Sequence, residues 1–327
     1  MEVTPLGFGA SHLGEVYLRV SEEQAQQTLN AAYDSGITYF DSAPWYGRGL
    51  SEHRVGHSLR HQSRSSFILS TKIGRVFHRP RDPSQFDRSG WAGGLDFEHR
   101  LDYSYDGVMR SYQDSLQRLG MTQVDLLLVH DLDISELGSR EVVDFHFKEL
   151  ADGGWKALEE LRSHGEIKGI GAGLNVTGMV ARFLESFDMD FFLLAMPYTL
   201  LDQEALDDDL PRCAERNVGV IIGAPYSSGI LATGAVAGAC YRYEVASEEV
   251  LSKVRRVQTI CDRHEVPLRA AALQFPLGHP SVASVIPGVV APEHVLDNLN
   301  QMSVAIPADL WKELKAEGLL RPDAPVP

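Results

Sequence analysis

The 327-residue sequence predicts an α/β fold, a (β/α)8 TIM barrel formed by a single domain over residues 1–327. Eight short apolar runs have the length and composition of buried strands, and the segments between them mostly show helical spacing of apolar residues. No linker, repeat or low-complexity tract divides the chain. A doubly wound sheet is the weaker alternative, because the glycines of residues 7–14, GFGASHLG, lack the spacing of a dinucleotide fingerprint.

The strand and helix signals alternate along the chain. Strands are predicted at residues 3–8, 37–41, 67–72, 124–129, 167–172, 191–195, 218–224 and 283–287. Helices are predicted at residues 50–59, 105–119, 155–164, 176–187, 206–216, 247–264 and 269–277. Two more are predicted to begin at Ser21, the start of a capping box, and at Pro292. Long loops follow strand three, with an irregular stretch at 74–103, and strand seven, at 225–245. Residues 309–317 predict an extra C-terminal helix.

Composition and charge exclude several functional classes. The chain is 44% apolar and 23% charged, as in ordinary globular domains, and its net charge of −15 argues against nucleic acid as a partner. No apolar run is long enough to cross a bilayer, so we expect no membrane as a partner. The N-terminus shows no secretory signal. Three cysteines without metal-ligand spacing favour a reducing compartment, so we expect a cytoplasmic protein without a metal.

Polar side chains follow three successive predicted strands. Asp41 ends strand two, Lys72 ends strand three and His130 follows strand four, while Tyr46 lies in the loop after Asp41. Active sites of these barrels lie where strands end and the following loops begin. We therefore expect the four side chains to meet at one rim of the barrel.

This set of groups suits proton transfer at a carbonyl or hydroxyl oxygen. Tyrosine is a poor acid or base at neutral pH, but a neighbouring Lys72 ammonium is expected to lower the pKa of Tyr46. Asp41 would hold the lysine charged and in place, and His130 would orient the substrate oxygen. None of these groups donates hydride, so the chemistry requires a redox cofactor.

Other interpretations of these residues are weaker. Taken singly, Asp41 could be a turn residue, Lys72 a surface charge, His130 a loop histidine and Tyr46 loop packing; their occurrence at consecutive strand ends favours a site. A metal-dependent barrel hydrolase would need clustered histidine ligands, which the sequence lacks. A catalytically silent regulatory subunit is a further alternative, which the intact set of four disfavours.

The segments FDSAPWYG, LSTKIG and VDLLLVHDLD resemble the catalytic segments of the aldo-keto reductases, which are (β/α)8 barrels that use a nicotinamide cofactor. The resemblance covers nearly the whole chain. It implies that Tyr46 transfers the proton, that Lys72 and Asp41 tune it, and that His130 orients the substrate.

The same resemblance indicates an altered nicotinamide pocket. Asn175 matches a family residue that contacts the carboxamide, but Leu174 replaces its serine neighbour. Ala195 falls near the family's glutamine, and Gly223 near its stacking aromatic residue. The loop that would lie over the pyrophosphate contributes Pro225, Tyr226, Ser227, Gly229 and Leu231.

The segment IPGVVAPEHVLDN resembles the family segment that binds the adenosine phosphate. NADP-binding members place Lys, Ser and Arg where Gly288, Val289 and His294 stand, and those groups neutralise the 2′-phosphate. Asp297 and Asn298 match the acidic residue and asparagine that bind the adenine end. The resemblance therefore implies a preference for NAD over NADP, and oxidation as the cellular direction.

Finer features, such as DYSYDGVMRSYQDSLQRLG and AMPYTLLDQEALDD, resemble a subgroup of NAD-dependent members that oxidise cyclic hemiacetals to lactones. The implied substrate is an aldose of the L-fucose, L-galactose or D-arabinose type, with Tyr46 as the base; pyridoxal, giving 4-pyridoxolactone, is the alternative. Oligomeric state is not predicted. Candidate pocket walls from the strand-end loops are His12, Trp45, Phe77, Trp91 and Tyr226.

Overall fold

The computed structural model describes residues 2–88 and 90–327 and confirms the predicted (β/α)8 barrel. The eight parallel strands, each paired with the next along the chain, are β1 (Phe8–Gly9), β2 (Tyr39–Asp41), β3 (Ile68–Ile73), β4 (Leu126–His130), β5 (Gly169–Leu174), β6 (Phe191–Ala195), β7 (Gly219–Gly223) and β8 (Val282–Ile286). Bridges between Leu6 and Val285 and between Gly9 and Gly288 join the last strand to the first.

Helices connect the strands, and most begin where the sequence predicts them. They are α1 (Glu22–Asp34), α2 (Leu50–Leu59), α3 (Tyr105–Leu119), α4 (Ile134–Leu137), α5 (Arg140–Glu149), α6 (Trp155–Ser163), α7 (Met179–Ser186), α8 (Asp209–Glu215), α9 (Ile230–Thr233), α10 (Glu248–Arg263), α11 (Leu268–Gln274), α12 (Pro292–Ser303) and α13 (Ala308–Ala316). The Ser21 hydroxyl caps α1 by accepting a hydrogen bond from the Gln24 amide. The extra C-terminal helix is α13. No helix in the described ranges is long and apolar enough to cross a membrane.

The two long loops contain short antiparallel hairpins. After β3, strand Arg75–His78 pairs with strand Glu98–Leu101, so the prediction of an irregular stretch at 74–103 was wrong for those residues. After β7, Cys240–Tyr241 pairs with Glu244–Val245. Alternation within these strands is too short to be recognised, but both hairpins fold back toward the barrel mouth.

Apolar side chains fill the barrel interior below its mouth. They form one compact cluster of Tyr39, Leu126, Leu128, Phe191, Leu193, Ile221 and Ile286. Side chains alternate along a strand, so Tyr39 shares a face of β2 with Asp41, and Leu128 shares a face of β4 with His130. The same alternation that packs the interior therefore directs polar groups into the mouth.

The backbone is strained where three strands end. Asp131 after β4, Met196 after β6 and Ala224 after β7 have φ angles of 54°, 84° and 50°. Side chains other than glycine rarely adopt this left-handed region, and such residues cluster at functional sites. The strain lies at the same rim as the polar strand ends.

Candidate active site

A cavity of about 360 Å³ opens at the C-terminal ends of the strands, where the sequence predicts the site. Asp41, Tyr46, Lys72 and His130 all line it. The structure therefore brings together the four side chains that three strands and one loop deliver to this rim. Its size lies within the range of small-molecule sites.

Asp41 and Lys72 form a buried ion pair at the base of the cavity. Lys72 Nζ lies 2.7 Å from Asp41 Oδ2 and donates a second hydrogen bond to the Ser42 carbonyl at 2.8 Å. The Ser70 hydroxyl donates to Asp41 Oδ1 at 2.6 Å. Each side chain is about 99% buried, so these partners replace the lost water and fix the lysine in one position.

Tyr46 lies directly above the lysine. Its ring centroid is 4.6 Å from Lys72 Nζ, which places the ammonium against the face of the ring. In the ligand-free protein, however, burial and then the neighbouring Asp41 raise the pKa of Tyr46 well above its ordinary value. The expected lowering of this pKa by lysine does not prevail, because burial disfavours the phenolate and Asp41 offsets the Lys72 charge.

His130 faces the tyrosine across the cavity. The two rings are perpendicular, with centroids 5.7 Å apart. The Tyr103 hydroxyl donates to the His130 carbonyl at 2.6 Å and holds the strand end. Burial, followed by the Lys72 and Arg75 charges, lowers the pKa of His130 well below its ordinary value. The imidazole is therefore neutral at physiological pH and can donate one ring N–H to a substrate.

Sequence reasoning missed the charged residues around His130. Arg75 Nη1 lies 2.7 Å from Asp131 Oδ2, and Asp131 Oδ1 accepts a hydrogen bond from Asn175 Nδ2 at 3.0 Å. Arg75 is 6% exposed and Asp131 also 6%. Arg75 is the first residue of the hairpin that the sequence did not predict, so its position could not be inferred. For Asp131, its place directly after His130 in the sequence was the one available indication that it lies near the site.

The residues expected around the nicotinamide lie along one side of the cavity. Asn175 and Gly223 line the cavity, as do Leu174 and Ala195 at the departures from the family pattern, and so does Gly288, which was expected at the adenosine end instead. A Cβ atom added at Gly223 would lie 3.1 Å from Leu193 Cδ2, so a larger residue there would require repacking. The lining is mostly backbone and small side chains, which permits a flat ring to approach closely. The residues present therefore fit a nicotinamide cofactor.

The loop after β7 lies beside this wall and is tied down at several points. Tyr226 donates its hydroxyl hydrogen to Asn298 Oδ1 at 2.7 Å, and Ser227 donates to Thr199 Oγ1 at 3.0 Å. Gly229 has a φ of 101° and precedes α9. Pro225 and Leu231 are buried. None of these five predicted residues lines the cavity, to which the loop instead contributes Ala224, Ser228 and Tyr243.

His12 fills the space where Gly288 has no side chain. A Cβ atom at Gly288 would lie 1.9 Å from His12 Nδ1. Burial, with a smaller effect of nearby His294, lowers the pKa of His12 to about 4, so the ring is neutral at pH 7. Asp297 pairs with Arg269, whose Nη1 lies 2.5 Å from its Oδ2. The end of β8 thus presents a neutral ring beside Gly288, the position expected from the family resemblance to hold a lysine in NADP-binding members.

Aromatic side chains form the outer wall of the cavity. Trp45 and Trp91 pack edge to face with centroids 5.9 Å apart, and both line the cavity, as does His12. Phe77 instead stacks on Phe97 in the hairpin, with centroids 6.2 Å apart, and is not a lining residue. Phe77 was expected in the pocket wall because residues 74–103 were predicted to be an irregular loop. In the hairpin its ring packs away from the mouth, so that expectation was wrong.

The lining residues that sequence reasoning missed include Tyr17, Tyr243 and Glu136. Tyr17 and Tyr243 approach each other, with ring centroids 6.4 Å apart, from loops more than 200 residues apart in the chain. No local pattern marks such a pair, because only the closed barrel brings the two loops together.

Comparisons with known proteins identify the family of this chain. A model of the aldo/keto reductase family matches residues 5–317. Pyridoxal 4-dehydrogenase of Microbacterium luteolum is 42% identical over 98% of this chain and 95% of its own length. D-threo-aldose 1-dehydrogenase of a Pseudomonas species is 36% identical over 98% of this chain and 96% of its own.

A solved structure shows the same fold. The holo form of an aldo-keto reductase from Bacillus halodurans has a TM-score of 0.72 and 23% identity, and the match covers 98% of this chain and 93% of that one. With the family match spanning most of the barrel and both close relatives named as dehydrogenases, the chain is an oxidoreductase that belongs to the aldo/keto reductase family.

Proposed function

We propose that this protein is an NAD-dependent dehydrogenase that oxidises the cyclic hemiacetal of an aldose, of the L-fucose, L-galactose or D-arabinose type, to its lactone. The observation that carries the proposal is the meeting of Asp41, Tyr46, Lys72 and His130 in one cavity. The 36% identity to D-threo-aldose 1-dehydrogenase supports the substrate class. The bound nicotinamide would accept the hydride from the anomeric carbon.

The chain's own residues perform the proton transfer. The Tyr46 phenolate oxygen takes the proton of the anomeric hydroxyl as the carbon–oxygen double bond of the lactone forms. The Lys72 ammonium, 4.6 Å from the ring centroid, stabilises the phenolate, and Asp41 holds the ammonium there at 2.7 Å. Neutral His130 donates a ring N–H to the reacting oxygen and orients it.

The adenosine end supports a preference for NAD. Gly288 supplies no charge, and neutral His12 occupies the space beside it, so the pocket lacks the lysine that would pair with a 2′-phosphate. Val289 and His294 stand at the other two positions where NADP-binding members have a serine and an arginine, and neither offers the planar, always charged fork of an arginine. Competition between the two cofactors in a binding titration tests this directly; tighter binding of NADP would contradict it.

Pyridoxal is the second candidate substrate. The 42% identity to pyridoxal 4-dehydrogenase favours it, and so does the aromatic wall of Trp45 and Trp91 on which a pyridine ring could stack. Its cyclic hemiacetal would react at the same type of carbon, with Tyr46 again as the base.

The three cysteines agree with the reducing cytoplasm that we propose as the location. Cys213 and Cys261 are buried free thiols, and Cys240 is a partly buried one. Free thiols persist where disulfides are kept reduced.

The proposed function is tested by incubating the purified protein with NAD and a panel of aldoses and pyridoxal. The near-ultraviolet absorbance of reduced NAD measures turnover. We expect turnover with at least one of these hemiacetals and little with the same compounds locked as methyl glycosides or acetals. Absence of turnover across the panel, with NAD binding retained, would favour the silent binding subunit instead.

A further inference from the structure

Arg75 is the buried cation behind the catalytic histidine. It follows β3 through Gly74, and its guanidinium lies over the ring of Trp45, with Cζ 4.6 Å from the ring centroid. One nitrogen, Nη1, contacts both Asp131 Oδ2 at 2.7 Å and His130 Nδ1 at 3.5 Å. Arg75 does not line the cavity, so it acts on the site through these neighbours.

The two ring nitrogens of His130 face groups of opposite character. Nδ1 faces a guanidinium, which can only donate hydrogen bonds, so this nitrogen must accept and carry no proton. The proton of a neutral ring then lies on Nε2, and Asp131 Oδ1, 3.4 Å away, favours it there without forming a hydrogen bond, so this N–H stays available to the substrate oxygen. Both contacts are long, and together they favour the tautomer with its proton on Nε2.

We propose that Arg75 is a positioning residue that holds His130 as the tautomer with its proton on Nε2 and, through Asp131, fixes the imidazole relative to Asn175. The guanidinium sets one nitrogen directly. It also orients the Asp131 carboxylate, whose other oxygen faces Nε2 and accepts from Asn175 Nδ2 at 3.0 Å. One arginine thus links the histidine of the substrate side to the asparagine expected on the cofactor side.

Burial is the main cause of the lowered pKa that keeps this imidazole neutral, and the charges of Lys72 and Arg75 act in the same direction. The cations Lys72 and Arg75 disfavour a second proton, while Asp131 favours one. Tyr46 and Tyr103 are neutral at physiological pH, since the pKa values of both are raised by burial. Glu136 lies on the far side of the guanidinium, 3.5 Å from Arg75 Nη2. The effect of the Lys72 and Arg75 charges on His130 outweighs that of Asp131 and opposes its protonation, so loss of Arg75 would make His130 easier to protonate.

The tautomer can be measured without substrate or cofactor. Long-range nitrogen–proton NMR correlations of the histidine-labelled, ligand-free protein distinguish protonated from bare ring nitrogens. We expect His130, assigned with a His130→Gln sample, to show a bare Nδ1 and a protonated Nε2. The opposite tautomer in the unmodified protein would overturn the proposal whatever the substrate proves to be.

Substitution of Arg75 tests its part in setting the tautomer. Arg75→Gln should give a mixture of tautomers and a higher His130 pKa, whereas Arg75→Lys, which keeps a donor-only cation, should retain the Nε2 proton. The matched control is Arg48→Lys, because Arg48 also stacks on Trp45, at 4.9 Å, but donates its hydrogen bonds to the Phe97 and Asp87 carbonyl oxygens. This variant should leave the tautomer unchanged. An unchanged tautomer and pKa in Arg75→Gln would refute the role.

The effect on turnover rests on the proposed function. Arg75→Gln should lower kcat on the order of 10- to 100-fold, the loss typical when a partner orienting a functional histidine is removed, with a smaller change in KM. Added guanidinium should restore part of kcat in this variant and none in Tyr46→Phe. Should Arg75→Gln fail to fold, the unmodified protein and Arg75→Lys still decide the proposal by NMR.

Discussion

Tyr46 is the residue on which the proposed chemistry depends. Its ring lies beside both the Lys72 ammonium, 4.6 Å from the ring centroid, and the His130 ring, at 5.7 Å between centroids. Tyr46→Phe should lower kcat about 10²- to 10⁴-fold, the usual contribution of a general acid or base, because the ring stays and the proton acceptor is lost. NAD binding, measured by calorimetry, should be unchanged. Activity near that of the unmodified enzyme would remove Tyr46 from the mechanism.

The pH dependence of oxidation follows from two pKa shifts of opposite direction. Tyr46 acts as a base only when it loses its proton, and its pKa is raised well above the ordinary value of about 10. His130 has a lowered pKa and stays neutral throughout the neutral range. We therefore expect log kcat/KM to rise with pH from about 6 to 9 with no falling limb from His130. An oxidation rate that decreases as pH rises would contradict this assignment.

At the scale of elements, we expect the end of β8 to control the choice of cofactor. Gly288→Lys with His294→Arg restores the two family cations, but His12 occupies the space that a new side chain would enter, 1.9 Å from its Cβ. We expect this pair to gain little NADP affinity until His12→Ala is added. The triple variant should favour NADP by 10-fold or more, the scale of about 1.4 kcal/mol for one charged contact. A full switch without the His12 change would show that the ring moves aside freely.

Contact between α2 and α3 gives a test of the helix layer. A Cβ atom at Gly56 would lie 2.1 Å from the Leu119 carbonyl oxygen, which belongs to the backbone and cannot rotate away. Gly56→Ala should reduce the free energy of unfolding by about 1–3 kcal/mol through overpacking. The control Gly153→Ala meets only ordinary contacts at 3.5 Å and should change stability by less. Equal stability of both variants in urea would contradict the packing account.

The elements also show which parts of this fold a single sequence reveals. Apolar runs and the cap at Ser21 predict the strands and most helices, because those signals are local. The hairpin that begins at Arg75 has four-residue strands whose pairing is decided by the barrel rim, so it was missed. The misplaced Phe77 and the unrecognised Arg75 are consequences of that one omission.

At the scale of the whole molecule, partly buried histidines with lowered pKa values link stability to pH. The pKa of His12 is about 4 in the folded protein and about 6.5 in an unfolded chain, so the unfolded state binds more protons between those values. Stability should therefore fall as pH decreases from about 6.5 to 4, by an amount on the order of 3 kcal/mol for His12. His99 has the same shift and adds to the loss.

Urea unfolding at several pH values measures this dependence, and His12→Asn isolates one histidine. The variant should lose less stability between pH 6.5 and 4 than the unmodified protein, whatever the carboxylates contribute, because those are common to both. Parallel curves for the two proteins would mean that His12 is not buried as a neutral group.

The site as a whole was more predictable than its surroundings. Asp41, Lys72 and His130 stand at strand ends, where chain position alone implies proximity in a barrel. Asp131, Glu136 and Tyr243 reach the cavity through a strained turn, a short helix and a hairpin, none of which has a signal in one sequence. The raised pKa of Tyr46 also needed the structure, since it depends on burial and on how Asp41 balances Lys72.

The central claim is that a hemiacetal gives hydride to NAD and a proton to Tyr46. The test uses the best substrate of the panel, labelled with deuterium at the reacting hemiacetal carbon. Mass spectrometry then measures the deuterium content of both products. We expect one deuterium in the reduced NAD, a lactone that has lost it, and neither product with Tyr46→Phe beyond a trace. Deuterium retained in the sugar or pyridoxal product, or lactone formation by Tyr46→Phe at the full rate, would contradict the account.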